Sequence, residues 1–226
     1  MNESIIYTFI KWSVRFVLFF FSLIFIILLL TKWINPPITT VILSESISLD
    51  QKVNQEWRTI DKIGKNVILT VLASEDSNFC THYGFDFNEI FRAKEKGFSR
   101  GASTISQQVS KNLLLWRERS WFRKGLEALI TIMIETLWSK KRILEIYLNI
   151  AETGNGYFGI QAISNSLFKK NSYDLTLKEA SYIAVTLPNP KKRNAKKLSI
   201  NLKKRAESVR NGANTLRLDG RASCVL

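Results

Sequence analysis

A chain of 226 residues with 46% hydrophobic and 23% charged residues holds one well-buried domain plus a short appendage, and excludes two large domains. Its 33 Lys and Arg against 19 Asp and Glu leave a net charge of +14, which calls for an anionic partner or surface, phospholipid or nucleic acid. One His and two distant cysteines exclude a zinc site built on His or Cys.

In chain order, Phe16 to Leu30 is apolar throughout except for Ser22, with Arg15 before it and Lys32 and Trp33 after it. Counted from Trp12 to Ile34, the segment meets the roughly 20 residues needed to cross a hydrocarbon core. A cleaved signal peptide is the rival reading, but the run is long and no small-x-small site precedes Asn35-Pro36-Pro37. Lys11 and Arg15 before the span place the short N-terminus in the cytoplasm and the rest of the chain outside the membrane. The span points to phospholipid as the anionic surface and away from nucleic acid. Cys80 and Cys224 then lie in an oxidising compartment and could bridge, yet no spacing pattern marks a disulfide framework, so two unpaired thiols are the expectation.

After the double proline, residues 39–65 show no clear period and read as a linker that begins the fold. From there the pattern is helical. Asp86-Phe-Asn-Glu89 reads as a capping box opening a helix towards Lys96, and Thr176-Leu-Lys-Glu179 opens another that stops at Pro188. Between them Ser103–Leu115, Trp121–Trp138 and Lys140–Glu152 carry apolar residues at three- and four-residue steps, so the fold class is mostly α. Residues 191–205 carry eight cations and no acid, which suits either a solvated helix face or anionic headgroups.

Glu75 and Asp76 follow the apolar run Val67–Ala73. Partial burial there would raise a carboxyl pKa towards the range of a general base acting on a sugar hydroxyl. Taken alone, such a couplet is usually a cap or a solvated corner. Thr104, Gln108 and Lys111 fall at i, i+4 and i+7 and share a helix face, with a hydroxyl, an amide and an ammonium suited to a sugar diphosphate or merely to solvent. Arg123, Lys124 and Glu127 fit within one turn, where an ordinary surface ion pair is the bland alternative.

The run from Glu75 to Asp86, E-D-x-x-F-x-x-H-x-G-F-D, contains Phe79 and His82, and R-G-A-S-T-I-S-Q-Q-V-S-K-N follows from Arg100 to Asn112. Together they resemble the first two motifs of the peptidoglycan glycosyltransferases, glycosyltransferase family 51. Arg123-Lys124-x-x-Glu127, Lys141-Arg-Ile-Leu-Glu145-x-Tyr147-Leu-Asn149 and the Pro188-Asn-Pro190 end of a helix follow in the family's order. The resemblance covers about residues 60–195 and is nearest the monofunctional biosynthetic form. It implies a lysozyme-like, mostly α glycosyltransferase domain after one transmembrane helix. The implied division is a cytoplasmic tail at 1–11, the span at 12–34, a linker at 35–60, the catalytic domain at 61–210 and a C-terminal tail at 211–226.

The resemblance implies an inverting transfer at the bacterial inner membrane, with the catalytic domain in the periplasm, lipid II as acceptor and the lipid-linked nascent glycan as donor. Glu75 is then the base at the acceptor hydroxyl and Glu127 the second essential carboxylate. Asp76, Phe79, His82, Thr104, Gln107, Gln108, Lys111, Asn112, Arg123 and Lys124 are the expected substrate-binding residues, with His82 also read as orienting the loop around Glu75. No cofactor is required; Asp76 either sets the charge around Glu75 or meets a divalent cation, Mg or Mn. Membrane phospholipid and other cell-wall synthesis or division proteins are the implied partners. Two departures stand out: Ala102 where the family has Gly, which is unsuited to a positive φ, and Ser106 where it has Thr. Phe87, Ile90, Phe91, Phe98, Trp116, Trp121 and Phe122 are candidates for a jaw dipping into the bilayer, with core packing the simpler expectation for most. The competing readings are a glycan-cleaving hydrolase with two carboxylates and a non-catalytic scaffold with a basic face.

Overall fold

The computed structural model describes residues 3–50, 52–95, 97 and 101–226. The chain divides into two units, Met1–Pro36 and Pro37–Leu226. The first is a helix, α1 (Glu3–Thr31), whose Ile6–Thr31 stretch contains an 18-residue window with a mean hydropathy of 2.7. At about 1.5 Å per residue those 26 residues reach about 39 Å, enough to cross a bilayer core. The arginine of Arg15 lies over Trp12 and the ammonium of Lys32 over Trp33, so each end of the apolar stretch carries a cation and an indole suited to headgroup depth. The helix stops at Thr31, short of the Ile34 limit read from hydropathy, and turns lead into the two prolines.

The second unit is mostly α, as the apolar periodicity predicts. Its helices are α2 (Thr40–Leu49), α3 (Lys65–Glu75), α4 (Phe87–Glu95), α5 (Ile105–Leu114), α6 (Trp121–Leu137), α7 (Lys140–Ile150), α8 (Ile160–Phe168), α9 (Leu177–Ala184) and α10 (Ile200–Asp219). Among the described residues three short strands, β1 (Asn54–Gln55), β2 (Glu152–Gly154) and β3 (Tyr157–Phe158), form a sheet in the order β1-β3-β2. β1 runs parallel to β3 and β2 antiparallel to it.

Two packing layers meet at the end of α3. On one side α3 lies against α9 and α10; on the other α5 packs against α6 and α7, with α2 leaning on α5. Small hydroxyls let α5 and α6 approach: Ser110 and Thr131 share a 2.8 Å hydrogen bond, and both are buried. Gly84, at φ +84°, passes α6 so closely that a Cβ there would sit 2.9 Å from the Thr131 methyl. α5 is closed by a full capping box between Thr104 and Gln107, and α9 by the box expected between Thr176 and Glu179. α9 ends at Ala184, and turns carry the chain to Pro188. At α4 only half of the expected box forms: the Glu89 amide donates to Asp86 Oδ1, while the Glu89 carboxylate pairs with Arg92. Lys96, the expected end of α4, lies outside the described residues.

The C-terminus departs from expectation. Residues beyond 210, read as a tail, form the last turns of α10 and a final segment in which Ala222 and Val225 are buried. Cys80 and Cys224, expected as free thiols, are joined by a disulfide with Cα atoms 5.8 Å apart. A sequence separation of 144 hides such a contact from any spacing argument, since α10 returns the chain to α3 only in three dimensions.

Candidate active site

α3 ends at the acidic couplet. Glu75 is its last residue and Asp76 its C-cap, so the two carboxylates leave the helix in different directions. Glu75 is half-buried; its Oε2 accepts from Gln108 Nε2 at 3.2 Å and its Oε1 from Ser74 Oγ at 3.2 Å. Burial pushes its pKa above the ordinary value; the two hydrogen bonds and the charge of Arg205 oppose the rise and the charge of Asp76 adds to it. The Gln108 amide is oriented from behind by the buried Tyr147 hydroxyl, which donates to Gln108 Oε1 at 3.4 Å.

Asp76 turns inward. It is 7% exposed, its Oδ2 accepts from the Ile105 amide at 2.9 Å, and the imidazole Nε2 of His82 lies 3.0 and 3.1 Å from its two oxygens. A carboxylate at the first turn of α5 also suits the positive end of that helix. Asp76 therefore joins the first motif to the start of the second. Among the described residues no group of three or more His, Cys, Asp or Glu side chains gathers in a metal-holding arrangement. Both Asp76 oxygens are engaged within the protein, which fits a structural anchor better than an ion ligand.

Phe79, 1% exposed, lies beneath the ammonium of Lys140, 4.5 Å from its ring centroid. Lys140 in turn pairs at 2.7 Å with buried Glu135, which also accepts from Ser106 Oγ. The Ser at position 106 thus holds α5 to α6 through its hydroxyl. Thr104, read as part of a ligand-facing stripe, is the buried N-cap of α5: it donates to the Gly84 carbonyl at 2.6 Å and accepts from the Gln107 amide. Periodicity places it on the right face, but capping turns its hydroxyl into the fold. Ala102 has no positive φ, so the small residue there is no obstacle to the loop.

Next to Glu75 opens a cleft of about 630 Å³ lined by Ser103, Gln107, Gln108, Lys111, Arg117, Arg119, Ser120, Trp121, Arg123, Lys124 and Glu127. Five of these are cations and one is an acid. Glu127, 3% exposed, accepts from Arg123 Nη1 at 2.8 Å and from the Lys124 ammonium, so it organises two of the cations. Burial lowers the Lys111 pKa; Glu127 opposes that shift, and Arg123, Arg117 and Lys124 reinforce it. Asn112 is buried one residue along α5 and does not line the cleft.

Arg117 and Arg119, which sequence reasoning missed, stand at this cleft. Arg117 is braced by Glu45 at 3.0 Å and Glu152 at 3.1 Å, and Lys191 pairs with the same Glu45 at 2.7 Å. Burial raises the Glu152 pKa against the pull of Arg117 and Lys191, while Glu45 adds to the rise. The local signal was the cation density of Trp116-Arg-Glu-Arg119 just before the third motif. Of the jaw candidates, Phe87, Phe91, Trp116, Trp121 and Phe122 are exposed, Trp121 at 92%, which corrects the expectation of core packing for most of them. Ile90 is half-buried, and Phe98 lies outside the described residues.

The sequence model of the family described as Transglycosylase matches residues 42–214, which spans every group named above from Glu45 to Arg205. The chain belongs to the transglycosylase family. Among its relatives, a protein of Mannheimia succiniciproducens named biosynthetic peptidoglycan transglycosylase is 41% identical over 97% of this chain and 94% of its own length. Proteins of the same name from Jannaschia sp. and Pseudomonas syringae pv. syringae are each 43% identical, the first over 84% of this chain and 79% of its own length, the second over 82% of both. Every transglycosylase motif read from the sequence falls inside the matched region, and the N-terminal helix precedes it.

Proposed function

We propose that this transglycosylase polymerises cell-wall glycan at the outer face of the bacterial inner membrane, using lipid II as acceptor and the lipid-linked nascent chain as donor. Family membership makes the chain a peptidoglycan glycosyltransferase. One observation carries the finer reading: Gln108 hydrogen-bonds Glu75 and also lines the cationic cleft. A single side chain thus forms a shared wall between a carboxylate of raised pKa and a cluster of Lys and Arg. A base beside an anion site is what attack on a glycosyl diphosphate requires.

In this reading Glu75 takes the proton of the acceptor GlcNAc 4-hydroxyl as its oxygen attacks C1 of the donor MurNAc from the face opposite the leaving group. The C1–O bond breaks, its electrons pass to the departing undecaprenyl diphosphate, and a β-1,4 linkage forms. Lys111, Arg123 and Lys124 stabilise the charge that grows on the diphosphate, with Glu127 fixing the last two in place. Such preorganised charges contribute most when water is excluded, and the burial of Arg123 and Glu127 provides that setting. The apolar helix α1 anchors the chain, N-terminus inside, beside lipid-borne substrates. Exposed Trp121, Phe122, Phe87 and Phe91 contact the acyl region.

The test is polymerisation of labelled lipid II by the full-length protein in detergent or vesicles. Wild type is expected to extend glycan, and Glu75→Gln to lose at least about 10² in kcat while keeping its thermal melt. A variant that still polymerises at the wild-type rate would remove Glu75 as the base. Release of soluble fragments from finished glycan without lipid II turnover would instead support a hydrolase.

A further inference from the structure

The segment from Asp76 to Asp86 starts directly after Glu75, and Asp76 ties it through the Ile105 amide to α5, which carries the Gln108 that holds Glu75; the segment is itself held from two sides. From within, Asp76 is fixed by the Ile105 amide and His82, and Phe79 is buried under Lys140. From without, the last residues of the chain lie on it. After α10 the chain reverses at Gly220, φ +73°, and buries Ala222 and Val225. Arg221 donates to Asn78 Oδ1 at 3.4 Å, and Cys224 is bonded to Cys80, which stands between Phe79 and His82. Asn78 passes the contact on, donating to Asp86 Oδ2 at 2.8 Å, and Asp86 caps α4.

We propose that the Cys80–Cys224 bridge is a redox-sensitive clasp: oxidised, it holds residues 76–86 in the geometry that aims Glu75; reduced, it releases the C-terminal segment and lowers turnover. Cys80 and Cys224 are positioning residues in this scheme, acting through the loop between them and the base. The bond is open to exchange because Cys224 is exposed and Cys80 only half-buried. The reductant is a dithiol. Its thiolate attacks one sulfur, a mixed disulfide forms, and its second thiol resolves it; the protein gains two thiols as the dithiol becomes a disulfide, two electrons and two protons changing hands. Among the described residues, the noncovalent contacts on the outer side include one long hydrogen bond from Arg221 beside the burial of Ala222 and Val225. Loss of the covalent link therefore frees the segment locally without unfolding the helices beneath it.

The activity arm rests on the glycosyltransferase reading above, and a second arm does not. Full-length oxidised protein in detergent is treated with dithiothreitol, and its thiols are counted by alkylation and mass spectrometry. Hydrogen exchange is followed over residues 76–86 and 220–226 alongside lipid II turnover as a function of pH. Reduction is expected to speed exchange in both segments and to lower kcat by about tenfold, within the range of up to about 10² that a 1 Å misplacement costs. KM for lipid II should hold while the acid limb of the pH profile moves, because the surroundings of Glu75 change. Cys224→Ser, a substitution at the exposed end, should show the reduced behaviour in both conditions and ignore the reductant. Unchanged exchange and unchanged kcat in protein with both thiols alkylated would overturn the clasp. Absence of polymerisation even from oxidised wild type would count against the function reading alone, with the exchange arm still deciding the clasp.

Discussion

Replacing Asp76 separates the metal ligand that the sequence allowed from the internal anchor that its hydrogen bonds suggest. In the structure the carboxylate is almost fully buried, accepts from the Ile105 amide at 2.9 Å and pairs with His82 at 3.0 Å. Hydrogen bonds to a charged group contribute about 1.5–3 kcal/mol each, and Asp76 accepts at least two. Asp76→Ala is therefore expected to lose about 3–5 kcal/mol of stability, since it strands both the first amide of α5 and an imidazole. Asp76→Asn retains an acceptor for the Ile105 amide and should lose less. Urea unfolding of the detergent-solubilised protein measures both. A cycle with His82→Ala should return a coupling of about 1–3 kcal/mol. An Asp76→Ala loss below about 1 kcal/mol, or Asp76→Asn activity restored by added Mg or Mn, would refute the anchor role and return Asp76 to the metal.

Three further outcomes follow from the cleft and its supports. As the proposed base, Glu75 must be ionised to act, so its raised pKa should place the acid limb of kcat/KM above the range of an ordinary Glu; Gln108→Ala removes a contact that lowers that pKa, so the limb should move to still higher pH in a lipid II rate profile. Lys111 has a lowered pKa, so its charge is lost at lower pH than for an exposed Lys and activity should fall on the alkaline side; Lys111→Arg should abolish that limb, and Lys111→Ala should cost about 10² in kcat. Gly159→Ala would place a Cβ 2.8 Å from the Asn149 carbonyl at φ +79°, and a thermal or urea melt should show a loss of about 2–4 kcal/mol from strain and overpacking combined.

Local grammar made much of the fold legible. The α9 capping box closes over four consecutive residues, and the cores of α5, α6 and α7 repeat apolar residues at helical steps, so each could be read without knowing its neighbours. The strands could not, because β1 and β3 have two residues each and their pairing joins Asn54 to Tyr157. α10 was hidden in a stretch dense with cations, where only Ser199, accepting from the Leu202 amide, marks its start. The same division runs through the site. Arg123, Lys124 and Glu127 lie together because spacing within one helix survives folding; Lys111, on α5, joins them only through the packing of α5 against α6. Thr104 does not, because a helix face says which way a side chain starts out and not whether a nearby backbone claims its hydroxyl. Arg117 owes its place to Glu45 and Glu152, residues far away in sequence on separate elements.

The shared wall made by Gln108 has a pharmacological side. A compound seated in the cationic cleft would touch Gln108 on its way to Lys111 and Arg123, making that amide an obvious place for resistance to arise. The same amide grips Glu75, with Tyr147 holding it from behind. With Glu75 as the base proposed above, a cell that altered Gln108 to evict an inhibitor would detune that base, so the escape route and the catalytic handicap are the same substitution.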